Sequence, residues 1–197
     1  NVVLHVPTGA QVRSYDMLTG ELLARLAVSG PIAAMRRDGD HLYLAETGYN
    51  QLVAVRVGPE TLTLAGNLRL PAAPGKLTVA DGVAYVAAGN GSTGGFMTVD
   101  VRFASALNLL SGIDSNGVAG TAIGLAGNGL ALVAGSSNIG AGFISVDLMD
   151  VSDPANTQRL VTRFSMPEVP HDVVVAGGHA VVADGTAGLQ IVKLLAA

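Results

Sequence analysis

An apolar motif returns along this chain every 42 to 49 residues, and a period of that length restricts a polypeptide to stacked supersecondary units. The motif occupies His41–Ala45, Val83–Ala87, Leu130–Ala134 and His179–Ala183. Each copy follows a dipeptide suited to a two-residue hairpin: Gly39-Asp40, Asp81-Gly82, Asn128-Gly129 or Gly177-Gly178. Such residues accept the positive φ that these turns demand. A second apolar run follows each copy, at Gln51–Val55, Phe96–Val99, Phe143–Val146 and Leu189–Val192. The stretches Gly95–Asp100 and Gly142–Asp147 match especially closely. A third run precedes each copy, at Ile32–Met35, Lys76–Val79, Thr121–Gly124 and Asp172–Val175. Looser stretches end the units, at Leu22–Val28, Leu62–Leu70, roughly Ala104–Leu110, and Gln158–Phe164. Asn1–His5 fits the first motif, and Gln11–Tyr15 the second, one unit earlier.

Each unit therefore reads as four antiparallel strands, the period of a β-propeller blade. The expected fold is all-β, with 18 strands making about four and a half blades. That count suits a five-bladed ring or, as the preferred reading, part of a larger ring. The expected blades span residues 1–31 (partial), 32–74, 75–120, 121–170 and 171–197 (partial), within one domain.

Composition supports strands packed between neighbours. Hydrophobic residues make up 49% of the 197 but aromatic ones only 4%, so the core is aliphatic. The 26 glycines and the many alanines let sheets approach closely. The net charge is −4 and no basic run occurs, which excludes a phosphate-neutralising groove and with it nucleic-acid binding. No apolar stretch reaches the length of a membrane-spanning helix. Without cysteine, disulfides and thiol chemistry are excluded. The absence of an initiator Met at Asn1 is read as a processed product or a fragment, with flanking domains of a larger chain expected.

The repeats resemble two bacterial propeller families. In the first half, Asp16–Ala24 and His41–Ala45 resemble YVTN-type repeats. In the second half, Asp150-Val151-Ser152-Asp153-Pro154-Ala155, Gly188–Val192 and Pro170–Val174 resemble LVIVD repeats. The resemblance implies an extracellular, cell-surface or periplasmic location. It also implies a binding or scaffolding role, without implying a reaction.

Candidate functional residues are few. His171 and Asp172 open an inner strand, where they sit at the expected channel rim and offer an imidazole beside a carboxylate. His5, His41 and His179 read as turn or surface histidines. The Gly-rich connections at residues 89–95 and 135–142 carry Asn90, Ser92 and Thr93, and Ser136, Ser137 and Asn138. Loops on a rigid scaffold bear recognition, so these are binding candidates. Neither loop has the Lys-Ser/Thr pair of a phosphate cradle. Asp16, Asp100 and Asp147 read as turn-starting aspartates that bond their own backbone. Asp150 and Asp153, with Ser152 between, supply oxygens of the kind calcium takes, though Pro154 and the repeat match favour a plain turn. No other cofactor, no metal and no catalytic residue is expected. The resulting expectation is a non-catalytic module presenting rim loops to a protein or glycan partner. The alternative is a metal-assisted lactonase or oxidoreductase with its site at the central channel.

Overall fold

Tight turns at the expected dipeptides set the architecture. Asp81 and Gly82, Asn128 and Gly129, and Gly177 and Gly178 all take left-handed φ values between 51° and 74°. That is the backbone of a two-residue turn whose twist matches its flanking strands. The computed structural model describes residues 3–88, 95–112, 118–137 and 143–194.

Among these residues the chain forms eighteen strands in five antiparallel sheets. The first sheet holds β1 (Val3–Thr8), β2 (Gln11–Asp16) and β3 (Leu22–Ala27). The second holds β4 (Ile32–Asp38), β5 (His41–Glu46), β6 (Gln51–Val57) and β7 (Leu62–Arg69). The third holds β8 (Pro74–Ala80), β9 (Val83–Ala88), β10 (Gly95–Asp100) and β11 (Asn108–Ser111). The fourth holds β12 (Val118–Gly127), β13 (Leu130–Ser137), β14 (Ile144–Asp150) and β15 (Leu160–Ser165). The fifth holds β16 (Asp172–Ala176), β17 (His179–Ala183) and β18 (Leu189–Lys193). Three four-stranded units are thus flanked by one without its first strand and one without its last, as the repeat predicts.

Two expectations shift. Val3 pairs with Asp16 as His41 pairs with Arg56, so Val3 rather than Asn1 takes the first slot of its motif. The reason is a connection of two residues, Gly9-Ala10, where the second sheet uses the four from Thr47 to Asn50. The fourth strand of the third sheet is only Asn108–Ser111, because the Ala106 amide donates to the Phe103 carbonyl and closes a turn just before it.

The sheets stack in chain order. β1 leans on β4, β4 packs on β8, β8 on β12, and β12 on β16. Alternate residues of a strand face opposite neighbours, so inner strands are apolar on both faces. Val12 meets Leu42, Leu44, Val53 and Val55 between the first two sheets. Tyr43, Ala45 and Leu52 meet Leu77, Val86 and Met97 between the next two. Phe96 and Tyr85 meet Ile123 and Val133, and Leu132 and Val146 meet Val173 and Val182. Glycine sets the spacing of the inner strands. A methyl group at Gly75 would sit 3.0 Å from the Thr121 carbonyl oxygen, and one at Gly124 equally close to that of Val173. Among the described residues, the sheets do not close into a ring.

Candidate functional site

Strand direction sorts the connections onto two ends of the stack. The first strand of each unit starts where its second strand finishes, so residues before β8, β12 and β16 share one end with the connections after β9, β13 and β17. This end, called the rim below, carries His171, Asp172, Ser136 and Ser137. Asn90, Ser92, Thr93 and Asn138 lie outside the described residues.

Three inner-strand residues lie at the rim: Lys76 in β8 and Asp172 in β16, which hold matching places, and Thr121 at the bulge of β12 between Gly120 and Ala122. Lys76 Nζ lies 3.4 Å from Asp172 Oδ2, with both side chains about half exposed. The pair links the third sheet to the fifth, past the strand between them. The hydroxyl of Thr121 lies 2.6 Å from the Pro170 carbonyl oxygen and 3.1 Å from that of Ala134. It thereby ties the approach to β16 onto the fourth sheet. Asp172 Oδ1 also accepts the Val173 amide at 3.0 Å.

The structure separates the tasks of His171 and Asp172. The His171 amide donates to the Ala183 carbonyl at 2.8 Å and extends the β16–β17 ladder by one residue. Its exposed imidazole lies over Gly185, while Asp172 turns to Lys76. The His171–Asp172 expectation did not include Lys76, which the sequence shows only as the start of the run Lys76–Val79. The signal was present nonetheless, since a basic and an acidic residue filled the same slot two units apart.

Two buried carboxylates were also missed. Glu46 and Asp184 end β5 and follow β17, at matching places near the rim, and both are fully buried. Glu46 Oε2 accepts from Gln51 Nε2 at 2.6 Å, while Oε1 meets no protein donor among the described residues. Neither carboxylate oxygen of Asp184 meets one either. Ser29, Gln51 and Asn67 join Glu46 and the aliphatic Ala27, Val28, Val53 and Leu64 around a cavity of about 310 Å³ between the first two sheets.

The opposite end carries turns. Asp16 Oδ1 accepts the amides of Thr19 and Leu18 at 3.0 and 2.8 Å, and these bonds hold its pKa below the usual carboxylate value. Asp100 is held low by the Arg102 guanidinium and then by the Arg102 amide. Asp147 departs from the expectation: it lies within β14, fully buried, in a two-bond pair with Arg163 at 2.8 and 2.7 Å. That pairing raises the pKa of Arg163. The turn-starting residue in this sheet is Asp150, which accepts the Ser152 hydroxyl at 2.6 Å and its amide at 3.0 Å. These bonds, and then the charge of Arg159, keep its pKa low. Asp153 accepts the Ala155 amide. Both carboxylates considered for calcium therefore serve their own turn, and Asp150 Oδ2 also lies 2.8 Å from Arg159. Among the described residues, no three His, Asp or Glu side chains are placed to hold a metal ion. A larger cavity, about 530 Å³, opens at this end between the fourth and fifth sheets. Leu130, Leu148, Phe164, Val175 and Leu194 line it with Lys193, so it is an apolar space with one cation at its margin.

No protein-family model matches the chain, and no curated protein matches it. Solved structures do. The chain is similar to the computationally designed Ika8 protein, with a TM-score of 0.74 over 98% of its length at 11% identity. It spans just over half, 56%, of that chain. It is also similar to the computationally designed Ika4 protein, with a TM-score of 0.65 and 12% identity over 89% of this chain and 99% of that one. At such identities the likeness is one of fold.

Proposed function

We propose that the five sheets are blades of a propeller-type ring segment, and that the chain is a non-catalytic binding or scaffolding module of a bacterial surface protein. The observation that carries this reading is the Lys76–Asp172 pair across Thr121. It brings the first strands of three successive sheets to a common rim, as blades around an axis do. The apolar contacts between sheets supply a stiff frame, and the rim adds the half-exposed cation of Lys76 and anion of Asp172 at strand starts, with Ser136 near the end of β13. Such groups suit the hydroxyl-rich surface of a glycan. The extracellular location follows from the resemblance to surface-protein repeats.

A glycan array probed with the labelled chain tests the reading. The expected result is binding that Lys76→Ala and Ser136→Ala weaken by about tenfold or more. Lys193→Ala, at the opposite end, should leave it unchanged. Failure to bind any glycan, or binding indifferent to the rim substitutions, would overturn it.

A further inference from the structure

Register makes the two faces of the fifth sheet equivalent to those of the fourth. Leu132 pairs with Leu148 and Ala134 with Val146; Val181 pairs with Ile191 and Ala183 with Leu189. Leu189 thus holds the place of Val146, and Ile191 that of Leu148. In the fourth sheet this face is covered by the fifth, and Leu132 and Val146 are 0% exposed. The same places in the third sheet, held by Tyr85 and Phe96, are covered by the fourth. In the fifth sheet, Leu189 is 71%, Ile191 69% and Val174 54% exposed. A terminal repeat that ends a stack exchanges such residues for polar ones. Here polar residues stand only at the margins, at Asp172, His179 and Lys193. The centre keeps the composition of a covered face.

The first sheet ends the stack on the other side. Leu4, Val6, Arg13 and Tyr15 hold the places of Leu42, Leu44, Val53 and Val55, which in the second sheet are buried against the first. Leu4 is 47% exposed and the other three are half-buried. Leu4, Val6 and Tyr15 share this face with Arg13, whose guanidinium is engaged sideways by Gln11 Oε1, with Arg25 opposite it on β3 and with the marginal Thr8–Gln11 pair.

We propose that these faces are two halves of one interface: the outer face of β16–β18 seats on the outer face of β1 and β2 in a second copy of this chain. The contact continues the packing already made four times within the chain. Leu189 and Ile191 meet Leu4 and Tyr15, and the aliphatic stem of Arg13 covers apolar surface while its head stays in water. The two surfaces differ, so the contact is heterologous and adds copies head to tail, as a closed ring or an open row. Three short strands give a patch at the small end of the interface range, so association depends on concentration. The inference is independent of what the rim binds.

Light scattering coupled to size exclusion tests it with two variants. Leu189→Glu/Ile191→Glu spoils the fifth-sheet face, and Leu4→Glu/Arg13→Glu the first-sheet face. Melting temperature and circular dichroism show that each folds. The wild-type chain is expected to exceed 19.8 kDa as concentration rises, and each variant alone to stay at that mass. An equimolar mixture of the two variants keeps one intact copy of each face, and is expected to form a species of twice that mass and nothing larger. A wild-type chain that stays monomeric at its highest soluble concentration overturns the proposal. So does a Leu4→Glu/Arg13→Glu variant that still dimerises, because two fifth sheets would then meet face to face. A mixture that stays monomeric overturns it as well.

Discussion

Leu148 in the fourth sheet and Ile191 in the fifth stand at the same point of the same motif, each opposite a branched aliphatic residue across the hairpin. Leu148 packs into a core shared with the fifth sheet, while Ile191 faces outward. The motif is no more polar at the end of the stack than in its middle. Burial here is conferred by the neighbouring sheet and not by the residue, so stability should be graded along the stack although the sequence pattern is uniform. In a stacked architecture each unit contributes its own stability plus that of its interfaces.

The largest effect should separate covered from uncovered places. Leu132→Ala is expected to cost about 3 kcal/mol, because it removes a buried side chain and leaves a cavity. Ile191→Ala is expected to cost about 0.5 kcal/mol or less in dilute protein. Urea denaturation reads both. A cost for Ile191→Ala that approaches that of Leu132→Ala would show that its face is covered in solution.

The same contrast applies to ion pairs. Arg163→Met leaves the fully buried Asp147 without its partner and should cost about 3 kcal/mol. Lys76→Met removes a half-exposed pair and should cost about 1 kcal/mol or less, an effect that fades in high salt. Gly66→Ala should cost about 1–3 kcal/mol, because the added methyl overlaps the Ala104 carbonyl oxygen in the connection between β10 and β11. In hydrogen exchange, β12–β14 should be protected longer than β16–β18, since fewer buried contacts hold the latter.

The smallest effect concerns pH. His5 donates to or accepts from Ser14 at 2.8 Å, and its pKa lies below the usual 6.5, first through burial and then through the nearby charge of Arg37. The unfolded chain therefore binds this proton more readily than the folded one. The contribution of His5 to stability is full above pH 6.5 and is lost as pH falls below it. His5→Gln should flatten that part of a stability profile. A slope unchanged by the substitution would place its origin elsewhere.

Much of this fold is written in local chemistry. Positive-φ dipeptides mark the hairpins, and apolar runs between them mark strands covered on both faces. Registers are less visible. The close match between Gly95–Asp100 and Gly142–Asp147 is out of step in space. Phe96 pairs with Ala87, but it is Val146 and not Phe143 that pairs with the equivalent Ala134. β13 runs on to Ser137, three residues past Ala134, where β9 ends one past Ala87, so the partner strand enters three residues later and the turn falls to Asp150. This is why Asp147 was misread. Lys76 was overlooked for another reason. Its meeting with Asp172 depends on how three sheets are set against one another, which no single unit encodes. Of the residues expected on binding loops, Ser136 and Ser137 instead end β13, at the rim with His171 and Asp172, because the ladder with β12 and β14 runs past Gly135.

The Lys76–Asp172 pair also acts as a counting device. Its two charges belong to units separated by one intervening unit, and they meet only when one first strand lies between them. Duplicating the fourth unit would part them by a further strand, whereas adding a unit before the second would leave them in reach. Tandem genes lengthen by such duplications, and the rim of this protein would register where in the array the new copy was inserted.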